Sequence, residues 1–387
     1  MPRRVRVLLL HNIMAPYRYP LFRALGGRPD IDLTVWFMSP SARNRRWAQT
    51  IDEELGFKYA VLPHIEFNYF SRDLFTYIFN PSFPWRYRRE AFDVLISAGW
   101  LDFATQAGFV LSKLLRQRFI LWSESTPNEP SWRRSVAMPL VRTMVRGANA
   151  YIAAGTRSRQ YLEMLGARQA DVFTAFSTVD VDLFRRVSDA ARRDRERRKA
   201  ELGITRRRVV LYCGQFIERK GLRYLLEAFA AIKRHYDDVA LVLVGYGPQY
   251  STLMADVHRL SLSDVHVLEH VEVGDMPSIY ALADIFVLPS VEETWGLVVN
   301  EAMACGLPVV VTDRAGSSVD LVQDGENGYV VPPSNSASIA DCCLRVLTDP
   351  SLLEYMSSRS QARIDQFTPE RAADAFAEAI RHTTAAT

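Results

Sequence analysis

The sequence predicts an α/β protein with two parallel-sheet domains, and three observations lead to this prediction. Short apolar runs of strand length alternate with helical periodicity through both halves of the chain, which is typical of parallel sheets with crossover helices. The length of 387 residues exceeds the usual size of one hydrophobic core. A charge run without an apolar stripe, at residues 190–201, divides the two halves.

The first half reads as strands and helices in alternation. Strand-like runs lie at residues 5–10, 33–37, 94–97, 119–122 and 151–153, and helical periodicity at 103–115, 135–145 and 157–165. We expect this N-terminal domain to cover residues 1–185 and a linker to cover 186–207.

The second half repeats the pattern over residues 208–368. Strands are expected at 209–213, 240–244, 265–268, 285–288 and 309–311, and helices at 222–233, 250–259, 277–283 and 297–304. Two amphipathic helices follow, at 336–347 and 369–380, with Asn335 and Thr368 as suitable N-caps.

Charge is distributed unevenly along the chain. The net charge is +3, but residues 1–200 contain 32 basic and 19 acidic side chains, and residues 201–387 contain 15 and 25. The basic half suits an anionic membrane surface or an acidic acceptor, although any single arginine is better explained as solvating a helix. Nucleic acid is not expected as a partner, because no known nucleic-acid-binding motif accompanies the charge.

The sequence favours a cytoplasmic location, with peripheral contact to the cytoplasmic face of a membrane. No apolar run approaches the roughly 18 residues of a membrane span, and the apolar run at residues 5–10 is too short for a signal peptide. The four cysteines have no metal-ligand spacing, which fits a reducing compartment.

The segment from Ser290 to Val311 contains two glutamates eight residues apart, Glu293 and Glu301. If a helix begins near Trp295, Glu293 lies in the loop before it and Glu301 lies two turns inside it. Both carboxylates would then border one crevice at the helix N-terminus, a suitable place for a sugar nucleotide. The alternative for each glutamate is a solvated helix face.

The same segment, SVEETWGLVVNEAMACGLPVVV, resembles the signature of the retaining glycosyltransferases of family 4. The resemblance implies a GT-B fold, in which two Rossmann-like parallel-sheet domains face each other across a cleft and the last helix, within 369–387, returns to the first domain. It implies transfer of a hexose from a nucleoside diphosphate sugar to an acceptor hydroxyl, with retention of configuration. It assigns Glu293 to the hydroxyls of the donor sugar and Glu301 to the nucleotide ribose.

The helix opening at Trp295, Gly296 and Leu297 would offer free N–H groups to a diphosphate. Thr294 adds a side chain where the family usually has glycine, so we expect it to bear on which sugar fits. No Asp-x-Asp pair lies in a suitable loop, and we expect neither a metal nor another cofactor.

The loop from Gly214 to Gly221 follows the first strand of the second half, where a doubly wound sheet binds phosphates. Lys220 matches the family's phosphate-binding cation. Gln215 stands where arginine is usual, and Arg219 would supply the missing charge. The alternative for both cations is a solvated basic turn.

A second glycine turn, with Gly245 and Gly247, ends the next strand. In the family this loop lies beside the donor nucleotide, and glycine would let the backbone approach it. By itself the pattern is equally typical of a plain turn.

The first half contains three candidate residues. His11 and Arg18 follow the first strand, in a loop that resembles a subgroup with Pro-Tyr-Arg, and we expect them to reach donor phosphate or acceptor. For Arg18 the alternative is a local ion pair. Glu124 stands roughly where the family has a histidine beside the reacting carbon, so it would accept the acceptor's proton or support positive charge on the sugar; the alternative is a helix cap.

Residues 67–89 interleave nine aromatic side chains with four arginines. This pattern suits a membrane interface or a lipid-linked acceptor, and it also suits stacking on sugars or bases. Filling the core of the first domain explains it equally well.

The sequence therefore predicts a retaining hexosyltransferase in which Glu293, Lys220 and Glu124 are the catalytic candidates, with a glycan or lipid-linked acceptor. Another GT-B enzyme of sugar nucleotides, an epimerase or a phosphorylase, is the alternative. The departures at Gln215, Thr294 and Glu124 also allow a binder without catalysis. A dehydrogenase is not expected, because no Gly-x-Gly-x-x-Gly follows the first strand.

Overall fold

A computed structural model describes residues 3–41, 55–68, 76–127, 132–269 and 271–385, with the side chains of residues 132–136 left out. The chain divides into two compact units. The first unit comprises Met1–Thr178 and Pro369–Thr387, and the second unit comprises Val179–Thr368.

The described residues form fifteen strands and fifteen α-helices. The strands are β1 (Val5–Ile13), β2 (Ile31–Ser39), β3 (Lys58–Val61), β4 (Ile65–Asn68), β5 (Thr76–Phe79), β6 (Val94–Ala98), β7 (Arg118–Ser123), β8 (Ala150–Ala153), β9 (Val172–Thr174), β10 (Arg208–Cys213), β11 (Val239–Val244), β12 (Val265–Leu268), β13 (Ile285–Leu288), β14 (Val309–Thr312) and β15 (Gly328–Val331). The helices are α1 (Tyr19–Gly26), α2 (Phe83–Arg89), α3 (Phe103–Leu114), α4 (Trp132–Gly147), α5 (Thr156–Leu165), α6 (Val181–Arg192), α7 (Arg195–Glu201), α8 (Leu222–His235), α9 (Tyr250–Arg259), α10 (Met276–Tyr280), α11 (Leu297–Ala304), α12 (Ser318–Leu321), α13 (Ser336–Thr348), α14 (Pro350–Ile364) and α15 (Pro369–Ala385).

The first unit is built on a parallel sheet of seven strands in the order β3-β2-β1-β6-β7-β8-β9, with β4 and β5 as a separate antiparallel hairpin. Helices α2 to α5 supply the apolar core on one face of the sheet, and α1 and α15 supply the core on the other. Because both faces are covered, the central strands are continuous apolar runs, as in the Leu8–Leu10 segment of β1.

The second unit is built on a parallel sheet of six strands in the order β12-β11-β10-β13-β14-β15. Helix α13 packs on α8, and α14 packs on α11. The two parallel sheets confirm the predicted α/β class with two Rossmann-like domains.

Several elements differ from the sequence-based expectation. Residues 186–207, for which the sequence indicates a linker, contain the end of α6 and the whole of α7. The expected helix near Trp295 begins at Leu297, after Gly296 in a left-handed conformation (φ +93°). Asn335 does cap α13, because its side chain accepts a hydrogen bond from the backbone N–H of Ser338 at 3.0 Å. No helix in the described part of the chain has the length and apolar character needed to span a bilayer.

Candidate functional site

In the second unit, the strand order reverses between β10 and β13. The loops that leave the carboxyl ends of these neighbouring strands, residues 214–221 and 289–296, therefore meet at one edge of the sheet. Ligands of open α/β sheets bind at such a switch point. This edge contains most of the candidate residues found in the sequence.

These two loops are locked together by their backbones. The N–H of Val291 donates to the carbonyl oxygen of Arg219 at 2.8 Å. Gly221 has φ +67°, and a Cβ atom there would lie 2.2 Å from the carbonyl oxygen of Pro289. Only glycine permits this approach, so the position of Lys220 relative to Glu293 depends on Gly221.

Lys220 and Glu293, two of the predicted catalytic residues, form an ion pair between Nζ and Oε2. Their side chains are 11% and 10% exposed. A buried charge of either sign is costly without a partner. The pair therefore orients both groups at the switch point.

Glu301 lies on α11 and accepts a hydrogen bond from the hydroxyl of Tyr280 at 2.7 Å. Burial raises the pKa of the Glu301 carboxyl from 4.5 to about 7, and the Tyr280 hydrogen bond acts in the opposite direction. The buried Cys213 thiol also interacts with Tyr280, and burial raises the pKa of that thiol. Sequence reasoning missed Tyr280, because it belongs to a separate short helix, α10, with no motif of its own.

The side chain of Trp295 is turned into the unit. It is 6% exposed, and its indole N–H donates to the side-chain oxygen of Asn300 at 2.8 Å. Thr294, by contrast, is partly exposed. The Trp295 ring thus packs inside the unit. Gly296 is the N-cap residue of α11, and Leu297 is the first residue of that helix.

Residues 315–317 brace the loop that contains Glu293. The N–H of Gly316 donates to the carbonyl oxygen of Glu293 at 3.0 Å, and the N–H of Ser317 donates to that of Trp295 at 3.1 Å. A Cβ atom at Gly316 would lie 1.9 Å from the carbonyl oxygen of Thr294. Sequence reasoning did not single out this segment, although a glycine four residues after the end of β14 was its visible signal.

The glycines of the second turn are required by packing between loops. Gly245 has φ +147°, and a Cβ atom there would lie 1.9 Å from the carbonyl oxygen of Gly214. A Cβ atom at Gly247 would lie 2.4 Å from the carbonyl oxygen of Phe216. At both positions, glycine thus permits a close approach to the backbone of the loop that follows β10.

The loop of residues 214–221 also contains Gln215 and Arg219. Gln215 is partly exposed, and its carbonyl oxygen accepts a hydrogen bond from the Tyr212 hydroxyl at 3.0 Å. Arg219 is partly exposed as well, and its Nη1 lies 3.5 Å from the carbonyl oxygen of Glu292. The Arg219 guanidinium thus lies beside the loop of the Lys220–Glu293 pair.

In the first unit, His11 lies at the end of β1, next to the reversal of strand order between β1 and β6. Its Nδ1–H donates to the carbonyl oxygen of Ile13 at 2.9 Å. Burial, reinforced by the positive charge of Arg18, lowers the pKa of His11 to about 3. The ring is therefore neutral at physiological pH, which leaves Nε2 as an acceptor rather than a donor.

Arg18 is 3% exposed and forms an ion pair with Glu124, whose side chain is 41% exposed. Its guanidinium carbon lies 4.9 Å from the centre of the Trp122 ring and 5.2 Å from that of Tyr17. Arg18 is thus paired with a carboxylate that is remote in sequence, and this ion pair joins it to the third catalytic candidate.

The aromatic and basic stretch is divided between core and surface. Residues 69–75 lie outside the described part of the chain. Phe83 and Tyr87 are fully buried, as the core interpretation requires, while Phe67 and Trp85 are 48% and 64% exposed. The core interpretation therefore holds for Phe83 and Tyr87, and it does not account for Phe67 and Trp85.

Comparison with known proteins gives consistent likenesses. Residues 194–363 match the family model described as glycosyl transferases group 1. N-acetyl-alpha-D-glucosaminyl L-malate synthase of Bacillus anthracis is 28% identical over 247 residues, which is 59% of this chain and 64% of that protein. Alpha-D-kanosaminyltransferase of Streptomyces kanamyceticus is 33% identical over 224 residues, 57% of this chain and 56% of that protein. The chain thus spans less than two thirds of these curated relatives.

Among solved structures, Anabaena Alr3699/HepE in complex with UDP matches with a TM-score of 0.79 at 20% identity, over 97% of this chain and 99% of that chain. A likeness at this identity establishes the fold. The chain therefore has the GT-B fold, and its residues 194–363 resemble the glycosyl transferases group 1 domain.

Proposed function

We propose that this protein is a retaining glycosyltransferase that moves a hexose from a nucleoside diphosphate sugar to an acceptor hydroxyl on a glycan or a lipid-linked molecule. The observation that carries the proposal is the buried Lys220–Glu293 ion pair at the switch point of a glycosyl transferases group 1 domain. The UDP in the HepE complex supports a nucleoside diphosphate as the common part of the donor.

In this proposal Lys220 binds the donor pyrophosphate and Glu293 accepts hydrogen bonds from the hydroxyls of the donor sugar. When the donor enters, its phosphates replace Glu293 as the partner of the buried ammonium group. Arg219 lies beside the same loop and adds a second cation. Cations and the N-terminus of α11, held in place before the reaction, stabilise the charge that develops on the leaving diphosphate.

Glu301 binds the ribose of the donor in the same proposal. An ionised carboxylate accepts hydrogen bonds from two vicinal hydroxyls, whereas a protonated one has less accepting capacity. The Tyr280 hydroxyl occupies one oxygen of Glu301 and orients the other. Thr294 is partly exposed beside Glu293, so we propose that it bears on the choice of sugar.

For the acceptor we propose a role for the first unit. Glu124 is 41% exposed while its partner Arg18 is buried, so the ion pair orients a carboxylate that solvent and substrate can reach. It would accept the proton of the acceptor hydroxyl or support positive charge on the sugar. The neutral His11 ring beside Trp122 supplies an acceptor nitrogen, Nε2. We further propose a cytoplasmic enzyme that meets its acceptor at a membrane.

The test is the turnover of nucleoside diphosphate sugars with a panel of glycan and lipid-linked acceptors, on wild type and on Glu293→Ala and Glu293→Gln. Both variants should lose most of the turnover. Glu326→Ala is the matched control, because Glu326 forms an ion pair with Arg359 but is 43% exposed, and it should keep full activity. Circular dichroism checks that each variant is folded. Wild-type turnover in a folded Glu293 variant would sink the assignment.

The departures at Gln215 and Thr294 favour a second candidate, a sugar-nucleotide binder without catalysis. Calorimetry with the same donors distinguishes it. Donor binding that Lys220→Met weakens, together with no modified acceptor in the panel, would support the binder over the transferase.

A further inference from the structure

The layer formed by α2, α3, α4 and α5 presents large apolar side chains to solvent. Among the described residues twelve large apolar side chains are exposed, eight of them in the first unit and four in the second. Five belong to these helices, namely Trp85, Val110, Leu114, Leu140 and Met164, and a sixth, Leu115, is the C-cap residue of α3. Each of the four helices contributes at least one, and the exposed fractions run from 42% at Leu140 to 70% at Met164.

These exposed side chains lie on the side of the four helices that faces away from the first sheet. Their inner residues, among them Phe83, Leu111, Val141 and Leu162, belong to a single core on one face of the first sheet. The exposed side chains therefore face away from that sheet. On the opposite face, α1 and α15 have no exposed large apolar side chain within the described residues, and their surface carries ion pairs such as Arg381–Asp30.

The same surface is strongly basic. Helices α2, α3 and α4 contain no aspartate or glutamate, and six of their cations have described side chains: Arg86, Arg88, Arg89, Lys113, Arg142 and Arg146. Acids next to these helices include Asp102, the N-cap residue of α3, Glu90, which pairs with Arg86, and Glu163 of α5, which pairs with Arg159. The sum of these groups is a large positive charge among apolar side chains.

We propose that the outer surface of the α2–α5 layer binds the surface of an anionic lipid bilayer. Cations attract an anionic leaflet, and apolar side chains between them enter the interfacial region. Trp85 suits this role, since the Arg89 guanidinium lies 4.3 Å from its ring centre and leaves the apolar body beside a cation. Nucleic acid fits less well, because valine, leucine and methionine cannot stack on bases.

This inference rests on the membrane contact in the proposed function, and it assigns that contact to a surface remote in sequence from the glycosyl transferases group 1 domain. It is tested without donor, so that its failure and a failure of the transferase assignment are separate results. If the protein turns over donor in solution but does not bind vesicles, the membrane-binding surface is contradicted and the transferase assignment is not.

The experiment is sedimentation of the full chain with sucrose-loaded vesicles of phosphatidylcholine, with and without one third phosphatidylglycerol. Wild type should bind the anionic vesicles, bind neutral vesicles at least tenfold more weakly, and lose affinity at high salt. Arg88→Gln with Arg142→Gln should lower the partition coefficient roughly 25-fold, at about fivefold per cation. Val110→Gln with Leu114→Gln should lower it at least tenfold.

The matched controls replace exposed side chains of the second unit: Arg223→Gln with Arg359→Gln, and Val319→Gln with Tyr355→Gln. Both controls should bind as wild type does. Equal loss in the controls, equal binding to neutral and anionic vesicles, or tighter binding to a DNA duplex than to anionic vesicles would each overturn the proposal.

Discussion

The ammonium group of Lys220 is ion-paired with the carboxylate of Glu293 in a setting where the two side chains are only 11% and 10% exposed. Each charge is therefore the other's main compensation for lost hydration. Removing one partner takes the ion pair from a second charge that is largely buried, and breaking a buried pair in this way typically costs 3–5 kcal/mol. Because the two residues follow different strands, the pair also ties the loop after β10 to the loop after β13.

Lys220→Met and Glu293→Gln should each lower the free energy of unfolding by about 3 kcal/mol or more. The double variant should lose much less than the sum, since it leaves no unpaired charge. Urea unfolding of the four proteins measures the coupling energy. Additive losses would mean that the ion pair does not hold the loops in the absence of ligand.

Glu301 makes stability depend on pH. Its pKa in the folded protein is raised from 4.5 to about 7, so the folded state binds the proton more tightly than the unfolded state does. This contribution, about 3 kcal/mol, is fully present below pH 4.5 and is lost as the pH rises through 7. Chemical unfolding at pH 4.5 and 8 should show a difference in wild type that is smaller by this amount in Glu301→Gln.

Tyr280→Phe should move that pH dependence upward. The Tyr280 hydroxyl donates to Glu301 and lowers the pKa of the carboxyl, so its removal raises the pKa further. The midpoint of the stability loss should then lie above pH 7. An unchanged midpoint would show that the hydrogen bond does not favour the ionised carboxylate.

Gly245→Ala should destabilise the second unit by about 3 kcal/mol or more, because the new methyl group would meet the Gly214 carbonyl oxygen at 1.9 Å and the backbone is at φ +147°. Gly274→Ala is the matched control, since nothing lies within 4 Å of a Cβ atom there and its φ is not positive. Thermal unfolding should separate the two variants clearly. Equal melting temperatures would refute the packing requirement at Gly245.

His11 should stay neutral across the physiological range. Its pKa is lowered to about 3 by burial and by the charge of Arg18. In nitrogen-15 NMR spectra, Nδ1 should carry the proton and Nε2 should have the shift of an unprotonated nitrogen from pH 5 to 8. Titration of the ring near pH 6.5 would indicate that the site is solvated.

The parts of the candidate site that sequence could predict are local in the chain. Lys220 and Glu293 each belong to a compact motif between a strand and a helix, and the strands themselves are visible because both of their faces are buried. The pairing of Arg18 with Glu124 was not visible, because 106 residues separate them and no sequence motif links the two positions.

Other misses have the same physical origin. Gly316 supports the Glu293 loop through backbone hydrogen bonds, which no side-chain pattern records. Helix α7 lacks an apolar stripe because polar contacts hold it, as when the nearly buried Lys199 donates to Glu196 and to the carbonyl oxygen of Arg207. The roles of the site residues in catalysis stay predictions until turnover is measured.

Helix α15 gives the two units an order of completion on the ribosome. Its residues Ala373, Phe376 and Ile380 cover a face of the first sheet, yet they are synthesised after the whole of the second unit. The first sheet therefore emerges early with one apolar face covered only by α1, whereas the second unit has all its residues before α15 is made. Residues 1–178 are thus made first, but they acquire their full core last. The part of the first sheet that α15 covers would be the apolar surface that a chaperone binds during synthesis.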